Sequence, residues 1–147
     1  MLPNEGWKPL KLKAEDDEDL EIFSECLYES IFSIKEMKFV EIEKSFIMTL
    51  ERFTWECAFG KDEELRQVLS VVVFQNINAM ELNFQNKYRN KFLNLKSIAC
   101  EKDIIVILFN YENSINLKTS KLECSMEDIG KPIWPALTPG HFKNIKN

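Results

Sequence analysis

The densest group of residues whose types and spacing could do chemistry is Arg52-Phe53-Thr54-Trp55-Glu56. A guanidinium grips a carboxylate or phosphate in a two-point fork, which makes Arg52 a candidate anion clamp. It is one of three arginines among 19 Lys and Arg, in a chain that elsewhere favours Lys. Glu56 could act as a base or as an ion-pair partner. Trp55 is the residue type that anchors interfaces. A plainer reading uses the same residues. On an extended strand Arg52, Thr54 and Glu56 share one face and Phe53 and Trp55 the other, giving an ion pair above and core aromatics below. His141 is the one histidine, so it is the side chain whose ordinary titration lies near neutrality. To act as acid or base it needs an anion or a nucleophile within hydrogen-bond reach, and Glu56 and Glu127 are the acids considered for that role. Trp134, His141 and Phe142 lie among prolines in a tail that reads as docking on its own domain or on a neighbour.

Other chemistries find less support. There is no nucleophile elbow and no phosphate-binding glycine loop, and the chain holds four glycines in all. Cys26, Cys57, Cys100 and Cys124 are widely spaced, with no C-x-x-C pair and no histidine at ligand spacing, so neither a metal site nor a cofactor is expected. Each thiol sits in an apolar or acidic context that raises its pKa. The loop Lys87-Tyr88-Arg89-Asn90-Lys91 has the basic and aromatic character of a nucleic-acid contact, although an ordinary hairpin loop has the same composition.

At 147 residues, 45% of them hydrophobic and 29% charged, the chain reads as one globular domain. Its net charge of −5 is concentrated in residues 1–32, which hold nine acids and three lysines. That distribution makes a nucleic-acid partner unlikely, because such binding rests on clustered Lys and Arg. The N-terminus has no apolar secretory core, and the apolar runs at 71–74 and 104–109 are too short to span a bilayer. The expectation is a cytoplasmic protein with free thiols and no membrane association.

The elements that must position these residues follow from periodicity. Leu20, Phe23, Leu27 and Ile31 predict a helix over about 16–32, capped by Asp16 or Asp17, whose acidic start suits the macrodipole. Phe46, Met48 and Leu50 alternate with Ile47, Thr49 and Glu51, which predicts a strand leading into Arg52 and hairpinned to 37–43. Residues 68–74 and 104–109 read as strands buried on both faces. Stretches 79–84 and 92–100 read as further strands, and 114–119 as the return arm of a hairpin with Ile115 and Leu117 inward. Leu122, Met126 and Ile129 predict a short C-terminal helix stopped by Gly130 and Pro132. Residues 1–9 read as an arm and 131–147 as an extended tail. The predicted class is α+β: a helix on a mostly antiparallel, curved sheet of six or seven strands, either open or curled into a pleckstrin-homology-like barrel.

Three stretches carry a resemblance: L-K-L-x-A-x-D-x-E-D-L from Leu10 to Leu20, R-F-x-W-E from Arg52 to Glu56, and E-D-I-G-x-x-x-W-P from Glu127 to Pro135 followed by P-x-H from Pro139 to His141. In these the chain resembles the mainly alphaproteobacterial domain-of-unknown-function family numbered 2948, over nearly its whole length. Members of that family carry Leu where Ile129 stands and more Arg in their loops and tails, where this chain has Lys and Asn at 86–91. The resemblance implies a small one-domain cytoplasmic bacterial protein, and no activity, substrate or cofactor.

The leading expectation is a non-catalytic binding or interaction module with a protein partner or a second copy of itself. Its contacts would come from Arg52, Trp55, Glu56, Trp134 and His141. The alternative is a small hydrolase or isomerase acting on an anionic metabolite, with Arg52 as clamp and Glu56 and His141 as acid and base.

Overall fold

The computed structural model describes residues 8–57 and 65–133. Residues 1–7, 58–64 and 134–147 lie outside the described residues, and with them most of the expected arm (1–9) and tail (131–147), including Trp134 and His141.

Strand β1 (Lys11–Ala14) leads into helix α1 (Asp17–Cys26). Asp16 caps the helix by accepting the Asp19 N–H at 2.8 Å, and Asp17, Glu18 and Asp19 occupy the first turn. The helix ends six residues before the predicted boundary. Glu29 turns left-handed at φ +67°, and residues 29 and 30 bond the backbone of Leu95, which pulls the chain into a sheet. The inward spacing of Leu20, Phe23 and Leu27 is as predicted, but Ile31 belongs to the next strand.

Nine more strands follow: β2 (Ile31–Phe32), β3 (Met37–Val40), β4 (Ser45–Phe53), β5 (Gln67–Phe74), β6 (Ile77–Asn83), β7 (Leu93–Glu101), β8 (Ile104–Phe109), β9 (Ser114–Thr119) and β10 (Cys124–Ile133). Their hydrogen-bonded order is β1-β10-β5-β4-β2-β7-β8-β9-β6, with β3 on the first half of β4, and every pairing is antiparallel. Ten strands replace the predicted six or seven. Among the described residues the path is open, with β1 and β6 at its ends. The inner faces on both sides of β2 share one core with α1. Phe46, Met48, Val72, Phe74 and Met126 meet Leu95, Ile107, Phe109, Ile115 and Leu117, each such side chain contributing roughly 1.5–3 kcal/mol of burial.

Two expectations are corrected. The strands at 68–74 and 104–109 are buried on one face only, for Leu69 and Leu108 are each 40% exposed on the other. The segment predicted as a C-terminal helix instead runs into strand β10. Cys124, Met126 and Asp128 face inward at period two, against β5 on one side and β1 on the other. Gly130, read as a helix stop, instead takes φ +76° where the register of β10 slips between Ile129 and Ile133.

Candidate functional site

The inner face of β4 carries Phe46, Met48 and Leu50, and the next inward position is Arg52. Its side chain is fully enclosed. An ionised group there is stable only if its donors are met, and the neighbouring strands meet them. Leu50 lies opposite Ser70 on β5, and Ser70 lies opposite Asp128 on β10. Asp128 therefore projects into the same end of the core as Arg52. Its Oδ1 accepts from Arg52 Nε at 2.7 Å and from Ser70 Oγ at 2.6 Å. Its Oδ2 accepts from Arg52 Nη2 at 2.7 Å and from the Leu10 N–H at 2.8 Å.

The strand expected to run through Glu56 stops at Phe53, and the chain turns through a short 3-10 segment, Trp55–Cys57. That turn swings Glu56 back onto Arg52, where Oε1 and Oε2 accept from Nη1 and Nη2 at 2.9 and 2.7 Å. The remaining Nη1 proton goes to the Phe53 carbonyl at 3.1 Å. All five guanidinium donors are thereby used, in two carboxylate forks and one carbonyl bond. Arg52 and Glu56 do pair, but below the sheet surface and not on it.

The other members of the segment divide differently from the expected alternation. Thr54 is buried and exchanges backbone and hydroxyl bonds with Arg66. Phe53 leaves the main core and packs with Ile31, Leu65 and Trp55 in a small second cluster. Trp55 is half-buried, donates its indole N–H to the Tyr28 carbonyl at 2.9 Å and rests against the Tyr28 ring.

Electrostatics follow from this geometry. Burial opposes the charge on Arg52, but the bonds to Asp128 and Glu56 outweigh it and hold its pKa above the ordinary guanidinium value. Burial likewise pushes Asp128 up, and the bonds from Arg52, Leu10 and Ser70 overcome that and leave it below the usual carboxylate range. Cys26, close by at the end of α1, is raised by burial against the opposing pull of Arg52, so it is held as a thiol. Two carboxylates face one guanidinium, a formal charge of −1. The solvent end of the cluster is Glu56, whose side chain is 34% exposed, in a cleft of about 230 Å³ lined by Glu25, Cys26, Trp55 and Glu56.

The structure thus brings together Arg52, Trp55 and Glu56. Trp134 and His141 lie outside the described residues. Asp128 and Ser70 are missing from the sequence-derived candidates. The signal for Asp128 was its parity with Cys124 and Met126, visible only once that segment is read as a strand. Among the described residues no cluster of His, Cys, Asp and Glu could hold a metal ion, and no helix is long and apolar enough to cross a membrane.

The family model described as "Protein of unknown function (DUF2948)" matches residues 10–141, and the chain belongs to that family. No curated protein and no solved structure matches it. The three stretches that carried the resemblance meet at this site: Leu10 from the first, Arg52 and Glu56 from the second, and Asp128 from the third.

Proposed function

We propose that this protein is a non-catalytic binding module of the cytoplasm, engaging a protein partner through the surface around Trp55 and Glu56. The observation that carries the reading is the complete use of Arg52. Its donors are bound to Asp128, Glu56 and Phe53, so it positions Glu56 and the turn behind Trp55 and has none left for a substrate. Trp55 and Glu56 are the parts of this cluster that reach solvent, one apolar and one charged, as an interface anchor and its rim would be. In this reading Trp134 and His141 add contacts from the tail.

The alternative, a hydrolase or isomerase acting on an anionic metabolite, needs Arg52 to release Glu56 or Asp128 before it can bind an anion. It would also place that anion beside a cluster of formal charge −1. Purified protein screened against ester, amide and phosphoester hydrolysis and against aldose–ketose and amino-acid isomerisation is expected to turn over none of them. Turnover that Glu56→Gln or His141→Ala abolishes would overthrow the binding-module reading.

A further inference from the structure

An antiparallel sheet that does not close leaves a row of unpaired N–H and C=O groups at each end. Among the described residues three strands have such an edge: β1, β3 and β6. Two of them are guarded. β1 is four residues long, carries Lys11 and Lys13, and packs beside α1. β3 is four residues long and carries Lys38. β6 is seven residues long, INAMELN, with no Lys, Arg or Pro. A register slip between Ile77 and Ala79 interrupts its start, and 79–83 then run regularly against β9. The Ile77 N–H bonds the Lys44 carbonyl at 2.8 Å, and the rest of the β6 backbone bonds only β9 among the described residues.

The core is incompletely covered along this edge. Met80 and Leu82 point inward, opposite the buried Leu117 and Ile115, and both are only part-buried. Met37 and Phe39 on β3 behave in the same way opposite the buried Met48 and Phe46. The bond from Ile77 to Lys44 starts β6 at the turn that closes the β3–β4 hairpin, so both open edges reach one corner of the core. A strand added to β6 would set its own inward side chains beside Met80 and Leu82 and extend that cover.

The outward residues of β6 select the occupant. Ala79, Glu81 and Asn83 are exposed. Glu81 accepts from the side-chain amides of Asn83 at 3.1 Å and Asn116 at 3.3 Å. It forms no ion pair among the described residues, and Lys118, in the adjoining row opposite Ala79, is not bonded to it. A cation directly across from Glu81 on an added strand makes a favourable cross-strand pair. A second copy of β6 has no cation to place there, and a chain of net charge −5 repels its own copy. Size points the same way. A strip about 23 Å long and one strand spacing of about 4.8 Å wide is far smaller than the ~800 Å² per partner of a stable interface between folded chains. We propose that the free edge of β6 binds an extended segment of another protein by strand addition. In that segment apolar residues, facing Met80 and Leu82, alternate with Lys or Arg, one of them opposite Glu81. This site lies on the end strand of the sheet and does not depend on the reading of Trp55 and Glu56.

The test uses the full chain, ¹⁵N-labelled, and three end-blocked heptapeptides. One alternates Val and Lys, one is the same sequence methylated at every backbone nitrogen, and one alternates Val and Glu. The Val–Lys peptide is expected to bind at least tenfold more tightly than either of the others. Amide shifts should centre on residues 77–83, and exchange of the outward amides within 79–83 should slow at least tenfold in the complex. Glu81→Lys, at an exposed position, should reverse the preference, so that the Val–Glu peptide binds more tightly than the Val–Lys peptide. Equal binding of the methylated peptide would mean that no strand is added. An unchanged preference in Glu81→Lys would mean that Glu81 is not the facing charge. Either result overturns the inference, as do shifts centred on α1 or on Trp55 and failure of all three peptides to bind. It is also overturned by slow exchange of every amide in 79–83 before peptide is added, the mark of an edge already covered by the chain itself. A dimer joined through 77–83 in analytical ultracentrifugation without peptide would overturn it in favour of a second copy.

Discussion

Asp128→Asn is the substitution that most directly probes the buried cluster. The change keeps shape and removes one charge. Asp128 accepts four hydrogen bonds, from Arg52 Nε, Arg52 Nη2, Ser70 Oγ and the Leu10 N–H. A carboxamide has one oxygen, so at least one of the donors facing the other carboxylate oxygen would meet an N–H₂ group instead. Arg52 keeps the Glu56 fork but loses the partner that is itself enclosed. Breaking a buried pair from one side costs about 3–5 kcal/mol. A domain of this size has about 5–15 kcal/mol in total. At about 2–4 °C per kcal/mol, the loss corresponds to a fall in Tm of roughly 6–20 °C. Glu56→Gln is the internal comparison. Its side chain is 34% exposed, and Arg52 would retain Asp128, so the expected cost is about 1 kcal/mol or less. Urea unfolding followed by circular dichroism measures both. The pH dependence supplies an independent check. The folded-state pKa of Asp128 lies below its ordinary 3.8, so its stabilising contribution is present above that value and is lost as pH falls through the folded pKa. The wild type should therefore lose stability below about pH 4, and Asp128→Asn should flatten that limb. If Asp128→Asn cost no more than Glu56→Gln, or left the acid limb unchanged, the reasoning would be wrong.

Three further outcomes are expected. Asp16→Ala removes the cap on the Asp19 N–H and should cost about 1 kcal/mol in urea unfolding, with helix content falling first. Cys124 is 2% exposed and burial pushes its thiol up to about 12, so it should resist an aromatic disulfide reagent at pH 8 in the native protein and react only after unfolding, as mass spectrometry of the labelled peptides would report. Tyr111 and Glu112 are consecutive left-handed residues at φ +60° and +61°, and Glu112→Gly should raise Tm slightly by relieving one of them, a gain of up to about 1 kcal/mol.

Much of the architecture was legible where local pattern and final burial coincide. The α1 stripe of Leu20, Phe23 and Leu27, the alternation through Phe46, Met48 and Leu50, and the inward pair Ile115 and Leu117 all occupy the positions their spacing implies. The hairpin between β3 and β4 is likewise as read, its turn closing at Lys44 with φ +54°. The reading fails where a spacing fits two periods. Leu122, Met126 and Ile129 suit a helix, but Met126 also belongs to the alternation Cys124, Met126, Asp128, and pairing with β5 and β1 decides for the strand. The acidic run of α1 was readable as a favourable helix start.

What the sequence by itself determined is local: a capped acidic helix, strands of period two, and the rule that an Arg among core positions must be paired. It also singled out Arg52 and Glu56 as a pair. Only the tertiary structure decided that Asp128, 76 residues away along the chain, is the enclosed partner, and that Glu56 arrives by a turn and not along a strand. The physical reason is that the pairing energy of a buried charge depends on which strands lie side by side. Strand neighbours are chosen by the whole core, and no short window of residues contains that choice.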